Sequence, residues 1–265
     1  MITIRFENTH EMSKVLPDYV LQCGDTVEPR GLASKEINGL AWKIEDFSSP
    51  FVTYREIDKA YAIAELAAYW TNDNSLWLGQ YADMWNHLSD DGKTINSAYG
   101  YLLRAHHGFD QVSKVIECLI ADPYSRRATM KINVPHNNPD LYHTKDEPCT
   151  MYMQFFIKGN KLDMQVAMRS NDMWYGLPYD LIYFWSIQDF IAKALNKEVG
   201  SYTHFAGSLH IYNKDSDNFT QPEDQVLSTL ELNIPLIIER AKELKKANSK
   251  LKILEIYDTL EVVSE

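Results

Sequence analysis

The stretch from Glu147 to Asp180 constrains the possible fold of this chain more than any other part of the sequence. It holds two runs of alternating apolar and polar residues, at positions 151–157 and 162–168, with a Gly-Asn pair between them. Alternation with a period of two is typical of β-strands, and a short Gly-Asn connection predicts a tight hairpin. In the second strand one face would carry Leu162, Met164, Val166 and Met168, and the other Asp163 and Gln165.

Chemically reactive residues stand at both ends of this predicted hairpin. Cys149 lies at its entrance, and Arg169, Ser170 and Asp172 lie at its exit. A second acid, Asp180, falls in the first turn of a predicted helix, where a carboxylate is also a common partner of the helix dipole. A sheet that brings a thiol, an arginine and an acid together predicts a site that binds an anion and attacks it covalently.

These residues form part of a longer ordered pattern that resembles the thymidylate synthase superfamily. The matching positions are Cys149, Arg169-Ser170-x-Asp172, Gly176, Asp180 and His210-Ile-Tyr212. Several details are more similar to its deoxycytidylate hydroxymethylase branch: Cys149-Thr150, Asn96-Ser-x-Tyr99-Gly100, Gly207-Ser208-Leu-His210 and an acid rather than an amide at position 180. The resemblance extends over roughly residues 25–215.

The resemblance implies an α+β fold, with a large twisted mixed sheet, flanking helices and a homodimer formed sheet to sheet. It implies a single catalytic domain over residues 1–265, and the sequence shows no repeat or linker that would divide it. Periodicity and breaker residues predict helices at 58–70, 76–88, 110–120, 179–195 and 234–246. They predict strands at 128–134 and 251–263, a loop at 197–202 and a short segment at 205–212.

Composition excludes several classes of protein. A net charge of −11 argues against general binding to DNA, RNA or membrane surfaces, because these partners require a basic face. Three cysteines in an acidic chain do not make a disulfide framework, and no uncharged run reaches membrane-spanning length. Four histidines show no metal-ligand spacing with cysteine: His106, His107, His136 and His143. We therefore expect a cytoplasmic protein without a metal. The resemblance implies that its partners are a small nucleotide and a second copy of itself.

The resemblance assigns roles to the residues that would hold a nucleotide. Cys149 would be the nucleophile, because nearby arginines favour the thiolate form. Charge-assisted hydrogen bonds to the 5′-phosphate would come from Arg30, Arg169 and Ser170, with Arg126 and Arg127 of the partner subunit. His210 and Tyr212 would bind the sugar 3′-hydroxyl. For Arg30 the alternative is a solvated surface arginine, and for Arg126 and Arg127 it is an exposed basic turn.

A second set of residues would serve the one-carbon donor, which the resemblance implies to be 5,10-methylenetetrahydrofolate. Glu65 lies within an apolar helical run, where a carboxylate is costly unless it is hydrogen-bonded or faces a cavity. Its alternative is a place on the wet side of an amphipathic helix. The resemblance instead assigns proton transfer to Glu65, shared with Asp172. The folate and base pocket would be formed by Trp85, Asn96, Tyr99 and Gly176.

Asp180 would select the base. Uracil presents an N3–H donor and an O4 acceptor, which an asparagine amide satisfies, whereas cytosine presents an N3 acceptor and N4–H donors. A carboxyl group accepts from N4 and can share a proton with N3, which also makes C6 more electrophilic. A donor–acceptor mismatch in a buried pocket costs about 1–3 kcal/mol, so an acid at this position favours cytosine.

The sequence therefore predicts a deoxycytidylate 5-hydroxymethyltransferase, in which water rather than a folate hydride completes the reaction. Water is favoured by the branch-like motifs at Cys149 and Gly207, and by a C-terminal sequence that departs from the synthase tail. A CMP hydroxymethylase and a thymidylate synthase acting on dUMP or dCMP stay open. So does a non-catalytic nucleotide- or RNA-binding relative, although the joint presence of Cys149, Glu65 and Asp172 argues against it.

Overall fold

The structure is a computed structural model that describes residues 2–133, 144–219 and 232–264. The strands in these ranges are β1 (Ile2–Asn8), β2 (Asp25–Val27), β3 (Ser34–Asp46), β4 (Thr129–Lys131), β5 (Thr150–Lys158), β6 (Lys161–Met168), β7 (Asn171–Asp172) and β8 (Glu198–Tyr212). The α-helices are α1 (Thr9–Cys23), α2 (Lys59–Tyr69), α3 (Met84–Leu88), α4 (Tyr99–Arg104), α5 (Gln111–Ala121), α6 (Leu177–Ala194), α7 (Ile234–Glu239), α8 (Ala241–Leu244) and α9 (Lys250–Ser264). Short 3-10 turns lie at Pro29–Gly31, Leu76–Gln80 and Asn213–Asn218.

The chain divides into two compact units, each made of three segments. The first unit comprises Met1–Ile57, Val115–Thr129 and Cys149–Leu230. The second comprises Asp58–Lys114, Met130–Pro148 and Glu231–Glu265. The sequence therefore passes between the units several times, including at the residue that precedes Cys149.

The first unit is built on a mixed sheet in which β1, β3, β8, β6 and β5 follow one another in that order. Strand β1 is parallel to β3, β3 is antiparallel to β8, β8 is parallel to β6, and β6 is antiparallel to β5. The short strands β2 and β7 add to β3 and β8, and helices α1 and α6 pack against the sheet. The predicted large mixed sheet with flanking helices is confirmed.

The predicted hairpin is present as β5 and β6, which turn at Gly159 with a φ of +61° that suits glycine. Asp163, which the sequence places on the face opposite the apolar residues, is buried as well. The pairing of β6 with β8 shifts register between Leu162 and Met164. At this shift the Asp163 carboxylate accepts a hydrogen bond from the Ser201 amide at 2.8 Å. The local irregularity thus gives the buried acid a backbone partner.

Burial along β8 changes phase in the middle of the strand. Up to Gly207 the even-numbered residues of 202–206 are buried, and beyond it the odd-numbered Leu209 and Ile211 are buried. Gly39 of β3 lies between Asn38 and Leu40, which pair with Ser208 and Ala206. It has a φ of +69°, which a residue with a side chain rarely adopts. The even-numbered side chains of β8 after this point are therefore half-exposed.

The described part of the second unit is mainly helical. Helix α2 begins after Asp58, whose side chain accepts a hydrogen bond from the Tyr61 amide at 3.0 Å. It is rich in alanine and other apolar residues and buried on most sides. Helices α4, α7, α8 and α9 pack against it. The predicted helix at 58–70 is confirmed, and none of the described helices is both long and apolar enough to cross a bilayer.

Two element predictions in the middle of the chain are wrong. Residues 76–88 form a 3-10 turn followed by the short helix α3, because Gly79 and the Ala82-Asp83 step interrupt the apolar run. Residues 197–202 are not a loop, since β8 begins at Glu198 and pairs with β6 from there. The valine and tyrosine of this stretch favour a strand.

The predicted terminal strand at 251–263 is also wrong, because this segment lies in helix α9. The Ser249 hydroxyl oxygen accepts a hydrogen bond from the Lys252 amide at 3.2 Å, which satisfies a donor of the first turn. Ile253 and Tyr257, one helical turn apart, are both fully buried. A helical period in the apolar positions therefore outweighs the local run of β-branched residues.

Candidate active site

The thiol and the arginine at the two ends of the hairpin are neighbours. The Arg169 amide donates a hydrogen bond to the Cys149 carbonyl at 2.8 Å, which extends the pairing of β5 and β6 by one residue. The Cys149 side chain is half-exposed, as a nucleophile that meets a soluble ligand must be. The structure therefore places Cys149 and Arg169 side by side, as the sequence predicts.

Strand β8 passes very close to Arg169. The Ser208 amide donates to the Arg169 carbonyl at 3.1 Å. A Cβ atom on Gly207 would lie 2.8 Å from that carbonyl oxygen, closer than side chains approach backbone in practice. The glycine of the Gly-Ser-x-His motif is therefore required by packing, because it lets β8 approach the end of the hairpin.

Asp172 and His210 are paired residues of β7 and β8. The Asp172 carboxylate accepts hydrogen bonds from the amides of Trp174 at 2.7 Å and Tyr175 at 3.1 Å. Burial raises the pKa of Asp172 in spite of these bonds. Burial lowers the pKa of His210, while the nearby Asp172 and Glu36 carboxylates oppose that change. The pair is thus a partly buried acid beside an imidazole that burial favours in its neutral form.

Tyr212 lies within electrostatic reach of Cys149 and Arg30. Burial raises the pKa of its hydroxyl, Asp172 and Cys149 raise it further, and Arg30 lowers it. Arg30 also acts on His210. These effects show that the residues lie near one another in the first unit, although Arg30 comes from a distant part of the sequence.

The backbone at Arg30 is unusual. Arg30 lies in the 3-10 turn Pro29–Gly31 with φ 55° and ψ 32°, the left-handed region that non-glycine residues seldom occupy. Its side chain is exposed. Such a conformation costs about 1–2 kcal/mol and is found most often where a side chain has a specific task. This placement fits both a phosphate-binding arginine and an exposed surface arginine, and the phosphate role stays a prediction.

Asp180 is held by a neighbour that the sequence pattern did not single out. Its Oδ2 accepts a hydrogen bond from the Asn171 Nδ2 at 2.8 Å. Asp180 is half-buried, and its charge contributes to the raised pKa of Tyr54 and of Tyr202. It lies in the first turn of α6, where it also complements the helix dipole. A Cβ atom on Gly176 would come within 3.4 Å of the same Oδ2.

Glu36 is a second residue that sequence reasoning missed. It pairs with His210 across β3 and β8. The Ser208 hydroxyl donates a hydrogen bond to its carboxylate. The serine of the Gly-Ser-x-His motif therefore has a partner in the fold, which only the strand pairing reveals. We refer to the following residues of the first unit as the hairpin cluster: Arg30, Glu36, Cys149, Arg169, Asn171, Asp172, Asp180, Ser208, His210 and Tyr212.

The two adjacent arginines lie just before β4. The Arg126 carbonyl accepts a hydrogen bond from the Gln154 side chain at 2.9 Å, and the Arg127 amide donates to the Ser125 hydroxyl at 3.2 Å. Both arginine side chains are exposed. Neither a role at a partner's phosphate site nor an exposed basic turn is excluded by this placement. Ser170, the other phosphate candidate, is half-exposed between β6 and β7.

Glu65 lies in the second unit, on α2, and is 8% exposed. The alternative of a place on a wet helix face is therefore wrong. Its Oε1 accepts hydrogen bonds from the Tyr61 hydroxyl at 2.7 Å and the Tyr69 hydroxyl at 3.4 Å. Burial raises its pKa to about 7, and the two hydroxyls partly oppose that rise. Glu65 can therefore exchange a proton near neutral pH.

The aromatic pocket residues of the second unit have partners of their own. The Trp85 indole nitrogen donates to the Tyr61 hydroxyl at 3.0 Å, and Trp85 is buried. Tyr99 stacks on Tyr69 with ring centroids 5.0 Å apart. Asn96 is half-exposed and donates through its side chain to an aspartate of the preceding turn, Asp90. The folate-pocket role of Trp85, Asn96 and Tyr99 stays a prediction.

No metal site is found among the described residues, in which no group of three or more histidine, cysteine, aspartate or glutamate side chains could hold an ion. His136 and His143 lie outside the described residues. His106 and His107 contact one another edge to face.

Comparison with known proteins decides the family. A family model described as thymidylate synthase matches residues 16–261. The chain belongs to the thymidylate synthase family. The deoxyuridylate hydroxymethyltransferase of Bacillus phage SP01 is 30% identical over 251 residues, which cover 88% of this chain and 65% of that protein. The resemblance drawn from the motifs is confirmed.

Relatives named as thymidylate synthases match a shorter part of the chain. The enzyme of Bacillus licheniformis is 31% identical over 185 residues, covering 66% of this chain and 65% of that protein. The one from Bacillus atrophaeus is 30% identical over 178 residues, covering 64% and 77%. The alignments thus span about two thirds of the length of the first two relatives. The relatives include a protein named as a hydroxymethyltransferase and others named as thymidylate synthases.

Proposed function

We propose that this chain transfers a one-carbon unit to a pyrimidine nucleotide, and more specifically that it hydroxymethylates deoxycytidylate at C5. Membership of the thymidylate synthase family and the similarity to a phage hydroxymethyltransferase support the reaction class. The observation that carries the choice of base is the acid at position 180. It is half-buried and hydrogen-bonded to Asn171 within the hairpin cluster.

The reaction would begin at the half-exposed Cys149. Its thiolate adds to C6 of cytosine, forming an S–C6 bond and moving the ring electron pair to C5. C5 would then bond to the one-carbon unit and lose its proton, while the two bonds between that carbon and the nitrogens of its carrier break and both nitrogens take up protons. Water then adds to the exocyclic methylene as the S–C6 bond breaks, which returns the thiolate and leaves a 5-hydroxymethyl group. The net reaction consumes one water and oxidises nothing.

The hairpin cluster would bind and orient the nucleotide. Arg169 adjoins Cys149 through a backbone hydrogen bond, so a phosphate bound by its guanidinium would be anchored close to the nucleophile. Arg30 and Ser170 would add to the phosphate site. His210 and Tyr212, half-exposed on the second half of β8, would bind the sugar hydroxyl. In a homodimer, the exposed Arg126 and Arg127 would complete the phosphate site of the other subunit.

The proposed donor is 5,10-methylenetetrahydrofolate, which supplies a carbon at the oxidation level of formaldehyde. The residues present fit such a group in one respect: the second unit joins an aromatic side chain, Trp85, to an acid that exchanges a proton near neutral pH, Glu65, through Tyr61. Glu65 would give and take protons during carbon transfer and orient the water that adds. Asp172, whose pKa burial also raises, would share this work.

The second candidate is hydroxymethylation of deoxyuridylate, because the phage relative carries that name. An ionised Asp180 offers two acceptor oxygens, and uracil O4 is itself an acceptor. Cytosine offers N4–H donors at the same edge and can share a proton with the carboxyl group at N3. The donor–acceptor match therefore favours cytosine over uracil by about 1–3 kcal/mol.

Product analysis tests the proposal. Incubation of the protein with methylenetetrahydrofolate and dCMP should yield a nucleotide heavier than dCMP by one CH₂O unit, with tetrahydrofolate as the other product. Parallel incubations with dUMP and CMP rank the alternatives. A nucleotide heavier by only CH₂, accompanied by dihydrofolate, would show reductive methylation instead. Binding without any C5 proton exchange would show a non-catalytic relative.

A further inference from the structure

A directional chain of hydrogen bonds runs through the second unit from Trp85 to Glu65. An indole N–H can only donate, so the Tyr61 oxygen accepts from Trp85 at 3.0 Å. The Tyr61 proton is then directed to the Glu65 Oε1 at 2.7 Å. All three side chains are buried, and in such a setting each hydrogen bond strengthens the next.

The chain distinguishes the two oxygens of the Glu65 carboxyl group. Both hydroxyls that reach it, from Tyr61 and Tyr69, end on Oε1. Within residues 2–133, 144–219 and 232–264, no hydrogen bond engages Oε2. One oxygen is therefore fixed by the protein and the other is left to exchange a proton or hold a water molecule.

Tyr61 is itself well anchored. It lies one helical turn before Glu65 on α2, so the two side chains share a face of the helix. Its backbone amide donates to the Asp58 side chain at 3.0 Å, and Asp58 is in turn paired with Lys250 of α9. The hydroxyl therefore belongs to the part of α2 whose first turn is capped and tied to a neighbouring helix.

We propose that Tyr61 is a positioning residue, whose hydroxyl ties the Trp85 indole to Glu65 and turns the carboxyl group so that Oε2 handles the proton of the reaction. This inference rests on the proposed function, because it takes Glu65 as the acid–base group. It adds to it a residue that holds the aromatic side chain and the acid in one unit. Tyr61 acts through Glu65 and need not touch a ligand.

The electrostatics of Glu65 agree with this arrangement. Burial is the main cause of its raised pKa, and the Tyr61 hydroxyl is the larger of the two opposing influences, followed by Tyr69. No charged side chain of α4, α7, α8 or α9, the described helices that pack on α2, contributes to that shift. The proton affinity of Glu65 is thus set by the two hydroxyls against the cost of burial.

Carbon NMR titration of the full-length protein, labelled with ¹³C at the glutamate carboxyl groups, tests the inference without any substrate. The Glu65 signal is the one that Glu65→Gln removes. Tyr61→Phe should move the midpoint of Glu65 upward by about one pH unit, because a bond that favours the charged form is lost. Tyr69→Phe is the matched control, with the same chemistry at 3.4 Å, and should move it less.

Two outcomes would overturn the inference: an unchanged midpoint in Tyr61→Phe, or an equal shift in Tyr69→Phe. If Tyr61→Phe does not fold, Trp85→Phe removes the N–H that donates to Tyr61, together with part of the indole ring, and should give a smaller shift in the same direction. No shift in that variant would contradict the relay. In turnover assays, Tyr61→Phe should lower kcat. It should also raise the apparent pKa that Glu65 contributes to the pH profile of kcat. If the wild-type protein does not turn over dCMP, the proposed function is contradicted, but the titration still tests the effect of Tyr61 on Glu65.

Discussion

The hairpin cluster of the first unit and Glu65 of the second unit differ in what shifts their pKa values. In the hairpin cluster of the first unit, pKa values respond to neighbouring charges as well as to burial, as Tyr212 does to Arg30, Asp172 and Cys149. On α2 of the second unit, Glu65 is shielded from charge and responds only to burial and to two hydroxyls. A cluster of charges suits the capture of an anion, whereas an isolated acid suits proton transfer at neutral pH.

Loss of the nucleophile should have the largest effect. Cys149→Ala should reduce tritium release from [5-³H]dCMP by roughly 10⁴-fold or more, because the thiol that would add to C6 is lost. Binding of dCMP, measured by calorimetry, should change little, since the arginines are intact. Measurable tritium release from the variant would show that C5 is activated without the thiol.

Glu65→Gln should come next, with kcat lowered by about 10²–10⁴-fold, because the amide cannot exchange a proton. The affinity for dCMP should be nearly unchanged, since Glu65 belongs to the second set of residues. A large loss of nucleotide affinity with normal kcat would reverse the roles given to the two sets.

The same variant has a distinct effect on stability. The pKa of Glu65 is about 7 when folded, above its usual value of 4.5, so the folded protein binds this proton more tightly than the unfolded chain. Its contribution to stability is complete below pH 4.5 and is lost as the pH rises to about 7. Urea unfolding should therefore show the wild type losing about 3 kcal/mol relative to Glu65→Gln over this interval. Parallel pH profiles would contradict the burial of an ionisable group here.

Asp180→Asn tests base selection within the hairpin cluster. The variant should shift the ratio of kcat/KM for dCMP and dUMP toward dUMP by about 10–10²-fold, because the amide offers both a donor and an acceptor. Asn171→Ala provides a control that leaves the acid in place but removes its hydrogen bond. Unchanged selectivity in Asp180→Asn would end the argument for cytosine.

The smallest effects concern two glycines, one in each unit. A Cβ atom on Gly207 would crowd the Arg169 carbonyl, and one on Gly100 would collide with backbone carbonyls that include that of Tyr69. Each alanine substitution should lower the free energy of unfolding by about 1–3 kcal/mol. Gly207→Ala should also weaken dCMP binding, while Gly100→Ala should act on kcat. Stability losses with identical kinetic effects would show that the two sites are not separable in this way.

The sequence was most informative where a pattern was both local and long. The hairpin and helix α2 follow from period-two and helical apolar patterns, and both are confirmed. The first half of β8 was missed because its sequence, Glu-Val-Gly-Ser-Tyr, mixes turn and strand formers, and only pairing with β6 decides between them. Helix α9 was missed because its β-branched residues outweighed two apolar positions one turn apart.

The candidate site divides in a similar way. The motif residues at Cys149, Arg169 and Asp172 could be named from the sequence because they follow a strand pattern and a family resemblance. The partners that tune them could not, since Asn171 meets Asp180 only when β7 and α6 fold back on one another. The contact between Tyr61 and Glu65 could be predicted from the sequence, because side chains four residues apart on a helix lie on the same face.

The pattern of buried residues in β8 shifts by one position at Gly207. The two parts of this strand therefore have different roles: the first contributes to the core, and the second presents half-exposed side chains. If the even-numbered residues were buried along the whole of β8, His210 and Tyr212 would be buried in the core, as Tyr202 and His204 are. The single offset turns the last third of β8 outward, while the strand stays paired with β3 on both sides of Gly207. A ligand that bound to those two side chains would therefore contact the same strand that lies in the middle of the sheet.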